Sequence, residues 1–271
     1  MNSSRIYRGI KGEGIFRSLA IGALLLLAIY FVAIFLSLFT YTDLGNLVAI
    51  LGTNELLHSI RLSLITASLS SLAALALGIP AAYALSQTRF KGKVLLDVLL
   101  DLPIVISPVA LGAAMLVFFN SPPGSAIERH ILRFVFEVPG IVLAQFTVVS
   151  AFSIRLLKST FDSIDHRYEQ VARTLGCGKF RAFFRVTVPL ARNGLIAAAI
   201  MTWSRAIGEF GATITLAGAM KGKTDTLPVA IFLSLSTANI EKAIALILVL
   251  VTIATSALLL LRRLTSSGQA A

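Results

Sequence analysis

The sequence predicts an all-α integral membrane protein with six transmembrane helices, and three observations lead there. Hydrophobic residues make up 56% of the 271 and charged residues only 14%. A soluble domain has too little interior to hide so much apolar side chain, because roughly half of its residues face water. Several apolar runs also reach the ~20 residues that carry a helix across hydrocarbon. Finally, the net charge of +11 sits mainly on Lys and Arg in the short segments between those runs. That is the positive-inside pattern, and it points to membrane lipid rather than nucleic acid as the surroundings of the chain.

Residues 1–18 carry Arg5, Arg8, Lys11 and Arg17 against one acid, Glu13, which predicts a cytoplasmic N-terminal segment. The first span covers 19–39. Its apolar core is longer than the roughly 7–15 residues of a signal-peptide core, and Phe39-Thr40-Tyr41 is no small-residue cleavage site, so it reads as a retained helix. The loop 41–55 holds Asp43 and Glu55 and no base, which suits the outside. The second span, 60–85, is rich in Ser63, Thr66, Ser68, Ser70 and Ser71, side chains that let membrane helices approach closely. Gly78-Ile79-Pro80 is expected to kink it. Arg89, Lys91 and Lys93 mark an inner loop.

The third span, 94–119, is interrupted by Leu102-Pro103 and Ser107-Pro108. Freed carbonyls at depth need protein or a watery cavity around them, so this is either a pathway feature or an ordinary proline kink. A Pro-Pro-Gly turn lies in the outer loop 120–139, and the fourth span covers 140–157. The fifth span, 193–217, is followed by Lys221, Lys223 and Asp225 and by a short apolar stretch, 227–235, that suits a dip into the surface. The sixth span, 240–261, ends in Arg262-Arg263 and a cytoplasmic tail, 264–271. The membrane domain is thus 19–263, with both termini in the cytoplasm.

A basic elbow, 162–189, interrupts this apolar frame. Tyr168, Val171, Ala172 and Leu175 share one helical face, Asp165 suits the N-cap, and Gly176-Cys177-Gly178 stops the helix. A second run puts Phe180, Phe183 and Phe184 on one face and Arg181 and Arg185 on the other. Pro189 either ends this run or starts the next span.

Few residues suggest chemistry. Arg205 and Glu209 in the fifth span are four apart and can meet on one helical face. Charge at mid-membrane costs about 2.5–3.5 kcal/mol per residue, so the pair reads as a gate or pathway lining, or as a self-neutralising packing device. Gly208 and Gly211 flank Glu209 and would let another helix approach. Asp97 and Asp101 share a face, and interfacial solvation near Arg89, Lys91 and Lys93 explains them better than acid–base work. His58, His130 and His166 lie outside the spans and form no metal motif. The single cysteine, Cys177, excludes an internal disulfide. The chain has no Walker A loop, no GxSxG and no dinucleotide fingerprint, so any ATP it uses must be hydrolysed by another polypeptide.

The elbow resembles the cytoplasmic signature of permease subunits in ATP-binding-cassette importers: Glu-Ala-Ala, three residues, Gly, and later Leu-Pro. Here it reads Gln170-Val171-Ala172-Arg173-Thr174-Leu175-Gly176 and Val188-Pro189. The acid is displaced to Glu169, which leaves open which side chain braces the turn. In that family the segment forms coupling helices that dock into a groove on the ATPase. The resemblance therefore implies ATPase-coupling roles for Glu169, Gln170, Val171, Ala172, Arg173, Leu175, Gly176, Lys179, Phe180, Arg181, Phe183, Phe184 and Pro189.

Residues 95–116 and 204–232 are similar to permeases of the molybdate/tungstate group, with sulfate/thiosulfate permeases close behind. That likeness implies the type I importer permease fold and oxyanion import by alternating access. It also implies a second copy of the chain, two cytoplasmic ATPase subunits that hold the ATP and Mg, and an extracytoplasmic oxyanion-binding protein. Pathway and gate roles then fall to Ser107, Pro108, Arg205, Gly208, Glu209, Phe210 and Gly211. The alternatives are a sulfate/thiosulfate permease and, further off, an ion-coupled carrier or channel. An intramembrane enzyme would need a nucleophile–base or metal set at membrane depth, and none is visible.

Overall fold

The computed structural model describes residues 3–41, 44–88 and 90–266. Asp43, Arg89 and the tail residues 267–271 lie outside the described residues, as do the side chains of Arg5, Arg8, Lys11 and Glu13. The chain divides into two units, 1–49 and 50–271.

The first unit contains α1, Ser3–Ser37, followed by a 3-10 turn, Leu38–Tyr41. The helix starts well before the predicted span, and the apolar helical section Phe16–Thr40, 25 residues long, runs through its end into the 3-10 turn. At 1.5 Å per residue that is enough to cross a bilayer. A short helix, α2, Leu44–Leu51, stands at the division between the units.

The second unit is a helical bundle built on the pairing of α3, Asn54–Gln87, with α7, Val138–Asp162. Small side chains make that pairing possible. A Cβ added at Gly78 of α3 would lie 3.2 Å from both Leu157 and Ser153 of α7. Ser70 donates to the Gln145 side chain at 3.2 Å, linking the two helices where both residues are fully buried. The Gly78-Ile79-Pro80 step is accommodated within one continuous helix.

The third predicted span is not a single rod. It consists of α4, Lys93–Val105, and α5, Pro108–Asn120, bent by 110°. Only one of the two proline steps breaks the chain: Pro103 lies inside α4. At the other, Ile106 (φ −73°, ψ 137°) and Ser107 (φ −55°, ψ 135°) are both extended. A residue before proline avoids helical geometry, and Pro108 starts the new helix, where its missing N–H leaves nothing unsatisfied. In the loop expected over 120–139, Pro-Pro-Gly opens a helix, α6, Pro122–His130, rather than a turn. The Glu128 carboxylate then folds the chain back by accepting the N–H groups of Phe134 (2.7 Å) and Val135 (3.0 Å).

After α7 come α8, His166–Thr174, α9, Lys179–Ala182, and α10, Val188–Ile207. The predicted fifth span also differs. Its apolar helix begins at Lys179 and stops at Ile207, and α11, Gly211–Ala217, is a separate short helix. The stretch near 227–235 is α12, Leu227–Ser236, ten residues and too short to cross. It packs on α13, Ile240–Ser266, through Leu227, Ala230 and Leu246. Among the described residues five helices are long and apolar enough to span a membrane, six if the bent α4–α5 pair is counted as one broken span.

Candidate coupling and gate sites

The elbow is a helix–stop–helix whose every turn has a local cause. The Asp165 carboxylate caps α8 by accepting the Arg167 N–H at 2.9 Å. At the other end Cys177 N–H reaches back to Ala172 O and Gly176 N–H to Arg173 O, each at 3.1 Å. That is a Schellman stop, and it needs a left-handed residue between them. Gly176 has φ +87°. A Cβ there would meet no neighbour within 4 Å, so the backbone angle, not crowding, selects glycine.

Pro189 neither ends the elbow run nor opens a separate helix: it lies inside the continuous helix Lys179–Ile207, at the head of its regular section α10. Its missing N–H and its ring would disrupt a regular turn around Arg185. The chain widens first into a π-helical turn, Phe183–Thr187, in which Val188 N–H bonds back to Phe183 O. Such turns occur frequently at functional sites.

Glu169, not Gln170, braces the elbow. Its carboxylate accepts the Tyr83 hydroxyl of α3 at 2.7 and 2.9 Å, and the hydroxyl of buried Thr187 lies at 3.5 Å. Tyr83 is itself held edge-on by Phe183 (4.7 Å) and Phe161 (5.8 Å). Phe183 therefore turns inward, and Phe180, Phe183 and Phe184 do not present one shared outer face. With Ile79, Pro80 and Tyr83 they line a groove of about 770 Å³. The other predicted coupling residues face out, apart from half-buried Ala172: Gln170, Val171, Arg173, Leu175, Gly176, Lys179, Phe180, Arg181, Phe184 and Pro189 are exposed. Tyr168, Val171, Leu175 and Phe180 form a bare apolar patch, with Leu175 81% and Phe180 79% exposed, among basic side chains. Apolar surface rimmed by charge marks a contact with protein or membrane.

Distant in sequence from the elbow, the two chain breaks meet. Arg205 Nη1 donates to Glu209 Oε2 at 2.7 Å, and Glu209 Oε1 accepts the Ala212 N–H at 3.1 Å. Glu209 is only 1% exposed. Its carboxylate thus replaces the helical bonds lost where α10 stops and supplies negative charge at the start of α11. A Cβ on Gly211 would lie 3.0 Å from Pro108 and Val109, and one on Gly112 would lie 2.8 Å from Ala212 O. So Pro108, Glu209, Arg205 and Gly211 gather at one place, with exposed Ser107 beside them. Phe210 turns towards Phe232, with ring centres 5.3 Å apart. Gly208 corrects the expectation of a second close approach: its nearest neighbours are carbonyls of its own helix at 3.9 and 4.0 Å.

Three features escaped the sequence reading. Tyr83 and Thr187 carry no signal, because only tertiary folding brings them to Glu169. Arg155 did carry one, as a lone cation in an apolar span. It and Lys158, both on α7, pair with Asp97 and Asp101, so those acids are not explained by Lys91 and Lys93. At the far end of α3, Glu55 joins Lys221 (2.7 Å) and Lys242 (2.5 Å). The carboxylate holds the Lys221 ammonium above the ordinary lysine range, so the pair stays charged at neutral pH. His58 lies inside α3, its ring 3.6 Å from Asp225, and no group of three or more His, Cys, Asp or Glu is placed to hold a metal among the described residues.

Known proteins resemble this chain in sequence and in fold. The family described as binding-protein-dependent transport system inner membrane component matches residues 74–267. A probable molybdenum ABC transporter permease protein of Haloferax volcanii is 40% identical over 214 residues, 78% of this chain and 77% of that protein. The molybdenum transport system permease protein ModB of Escherichia coli is 36% identical over 192 residues, 69% of this chain and 83% of that one. A chain of a bacterial ABC transporter that imports alginate superposes with a TM-score of 0.77 at 16% identity, covering 97% of this chain and 99% of that one, a likeness of fold. The chain belongs to the inner-membrane components of binding-protein-dependent transport systems, as a multi-pass permease subunit of the ATP-binding-cassette importer type.

Proposed function

We propose that the chain is the membrane half of a molybdate or tungstate importer. Two copies enclose the translocation pathway, two ATPase subunits holding ATP and Mg dock on the cytoplasmic elbows, and an extracytoplasmic binding protein delivers the oxyanion. Both termini lie in the cytoplasm. The cargo follows the molybdenum permeases that share 36–40% identity with this chain. The observation that carries the coupling role is the elbow: an exposed apolar patch in a basic setting, fastened by Glu169 to Tyr83 of α3.

Closure of the ATPases would move the elbow and, through α7 and α10, the helices behind it. Arg205, Glu209, Pro108 and Gly211 stand where two broken helices cross, a junction suited to a gate because it can rearrange without unwinding a full span. The permease need not hold its cargo tightly, since equal affinity for two states shifts neither. Arg205 compensates Glu209 and leaves the gate close to neutral, which lets a net-negative cargo pass without being trapped.

The test is uptake of radioactive molybdate by vesicles holding the permease, its ATPase and its binding protein. Arg173→Glu with Arg181→Glu should cut uptake at least ~10-fold while the protein still inserts, since like-charge contacts at such an interface cost several kcal/mol. Unchanged uptake would contradict the coupling role. Uptake that persists without the ATPase would identify an ion-driven carrier, and competition by sulfate alone would identify a sulfate permease.

A further inference from the structure

The elbow and the gate are not adjacent, and one cluster of charge joins the elements between them. Arg155 of α7 grips Asp101 of α4 with Nε and Nη2 on the two carboxylate oxygens, a fork that fixes direction as well as distance. Its Nη1 lies 3.7 Å from Asp97, one helical turn away. Lys158 completes the cluster, 3.5 Å from Asp97 and 3.9 Å from Asp162.

This cluster matters because little else holds α4. None of the 13 described residues of α4 is buried. Val94, Leu95, Val98, Leu99 and Val105 are all more than half exposed, and of its apolar side chains Leu100 packs against the core around Leu157 and Phe161. The helix is therefore steered by its two carboxylates.

Each end of the cluster leads to one of the two sites. On α7, Leu157 and Phe161 alternate with Arg155 and Lys158 and sit in the aromatic nest with Tyr83 and Phe183 that braces the elbow. Beyond Asp162 the chain enters α8 directly. On the other side α4 runs to the extended pair Ile106-Ser107 and turns 110° into α5, whose Pro108, Val109 and Gly112 press on α11. Ionisable groups in membrane spans are rare and pair with one another, and here both carboxylate partners lie on the element that carries the hinge.

We infer that Arg155, with Asp101 and Asp97, is a positioning bracket that transmits movement of the elbow end of α7 to α4, and through the Ile106–Ser107 hinge to the gate. This rests on the ATPase-coupled reading above. The contact is one that a core of packed apolar side chains would not replace, because it must fix the register of a helix that is otherwise loosely seated.

The experiment uses the complete complex of permease, ATPase and binding protein in vesicles. A Ser107→Cys reporter in a Cys177→Ser background reports the hinge through its rate of reaction with a thiol reagent, with and without ATP, and radioactive molybdate uptake is measured in parallel. Arg155→Asp should remove the ATP-dependent change in labelling and lower uptake ~10-fold, at the upper part of the range for residues on a coupling route, while ATP hydrolysis continues. The exchange Arg155→Asp with Asp101→Arg should bring both readouts back to within ~3-fold of the unmutated complex, and Arg155→Lys, which keeps the charge but loses the fork, should fall between.

If Arg155→Asp leaves the ATP-dependent labelling intact, or if an inserted exchange variant recovers nothing, the bracket is overturned. An unmutated complex whose reporter does not respond to ATP overturns it as well. A reporter that responds to ATP, while the parent complex with Ser107 intact takes up no molybdate, removes the cargo assignment and leaves the bracket standing.

Discussion

Glu169 shows at the scale of one residue how a departure from a motif is absorbed. The acid stands one position earlier than in the importer signature that the elbow resembles, yet its carboxylate reaches the Tyr83 hydroxyl with both oxygens, at 2.7 and 2.9 Å. A hydrogen bond to a charged acceptor contributes about 1.5–3 kcal/mol net, enough to hold a nine-residue helix at a set angle. Tyr83→Phe and Glu169→Gln should each weaken binding of the ATPase to the permease by roughly 3–10-fold without preventing insertion, and the double variant should be no worse than the worse single one. Titration of the purified ATPase onto detergent-solubilised permease measures this, and additive losses would show that the two side chains act separately. Arg205 and Glu209 are a different case: with Glu209 1% exposed, the pair is as much a condition for burying the acid as a functional device.

Among the elements, the breaks rather than the spans decide what the protein can do. The crossing of α5 and α11 rests on missing side chains. A Cβ on Gly112 would stand 2.8 Å from the Ala212 carbonyl oxygen, whereas one on Gly208 would meet nothing closer than 3.9 Å. Gly112→Ala should therefore lower stability by about 1–3 kcal/mol, the range for overpacking a close contact, and reduce uptake sharply. Gly208→Ala should leave stability within ~0.5 kcal/mol. Thermal unfolding in detergent separates the two, and equal effects would contradict this account of the crossing. The long apolar helices were legible because hydrophobicity over ~20 residues is a local property. The elbow was legible for the same reason: capping acid, helical face and stopping glycines all lie within a few residues of one another. The stop at Ile207 was not, because apolar residues continue through Ala217 and the cause of the break is a carboxylate turned back on its own chain. Nor could spacing alone choose between Pro103 and Pro108, since both follow an apolar residue or a small polar one at similar depth.

On the scale of the whole molecule the chain is an apolar frame, and four of the places where it carries charge are the elbow, the α4–α7 bracket, the gate pair and the Glu55 cluster at the far end of α3. Three of these lie along one run of packed elements from the elbow through α7 and α4 to the crossing of α5 and α11, the route proposed above for an input from the ATPase. The cargo enters this account through relatives, while the direction of force depends on which side of the membrane the elbow occupies. Cys177, the single cysteine, sits at the elbow tip and reports that side directly. A membrane-impermeant maleimide should modify it in inside-out vesicles and leave it untouched in sealed cells; modification in sealed cells would place the elbow outside, beyond the reach of any ATPase, and contradict the account.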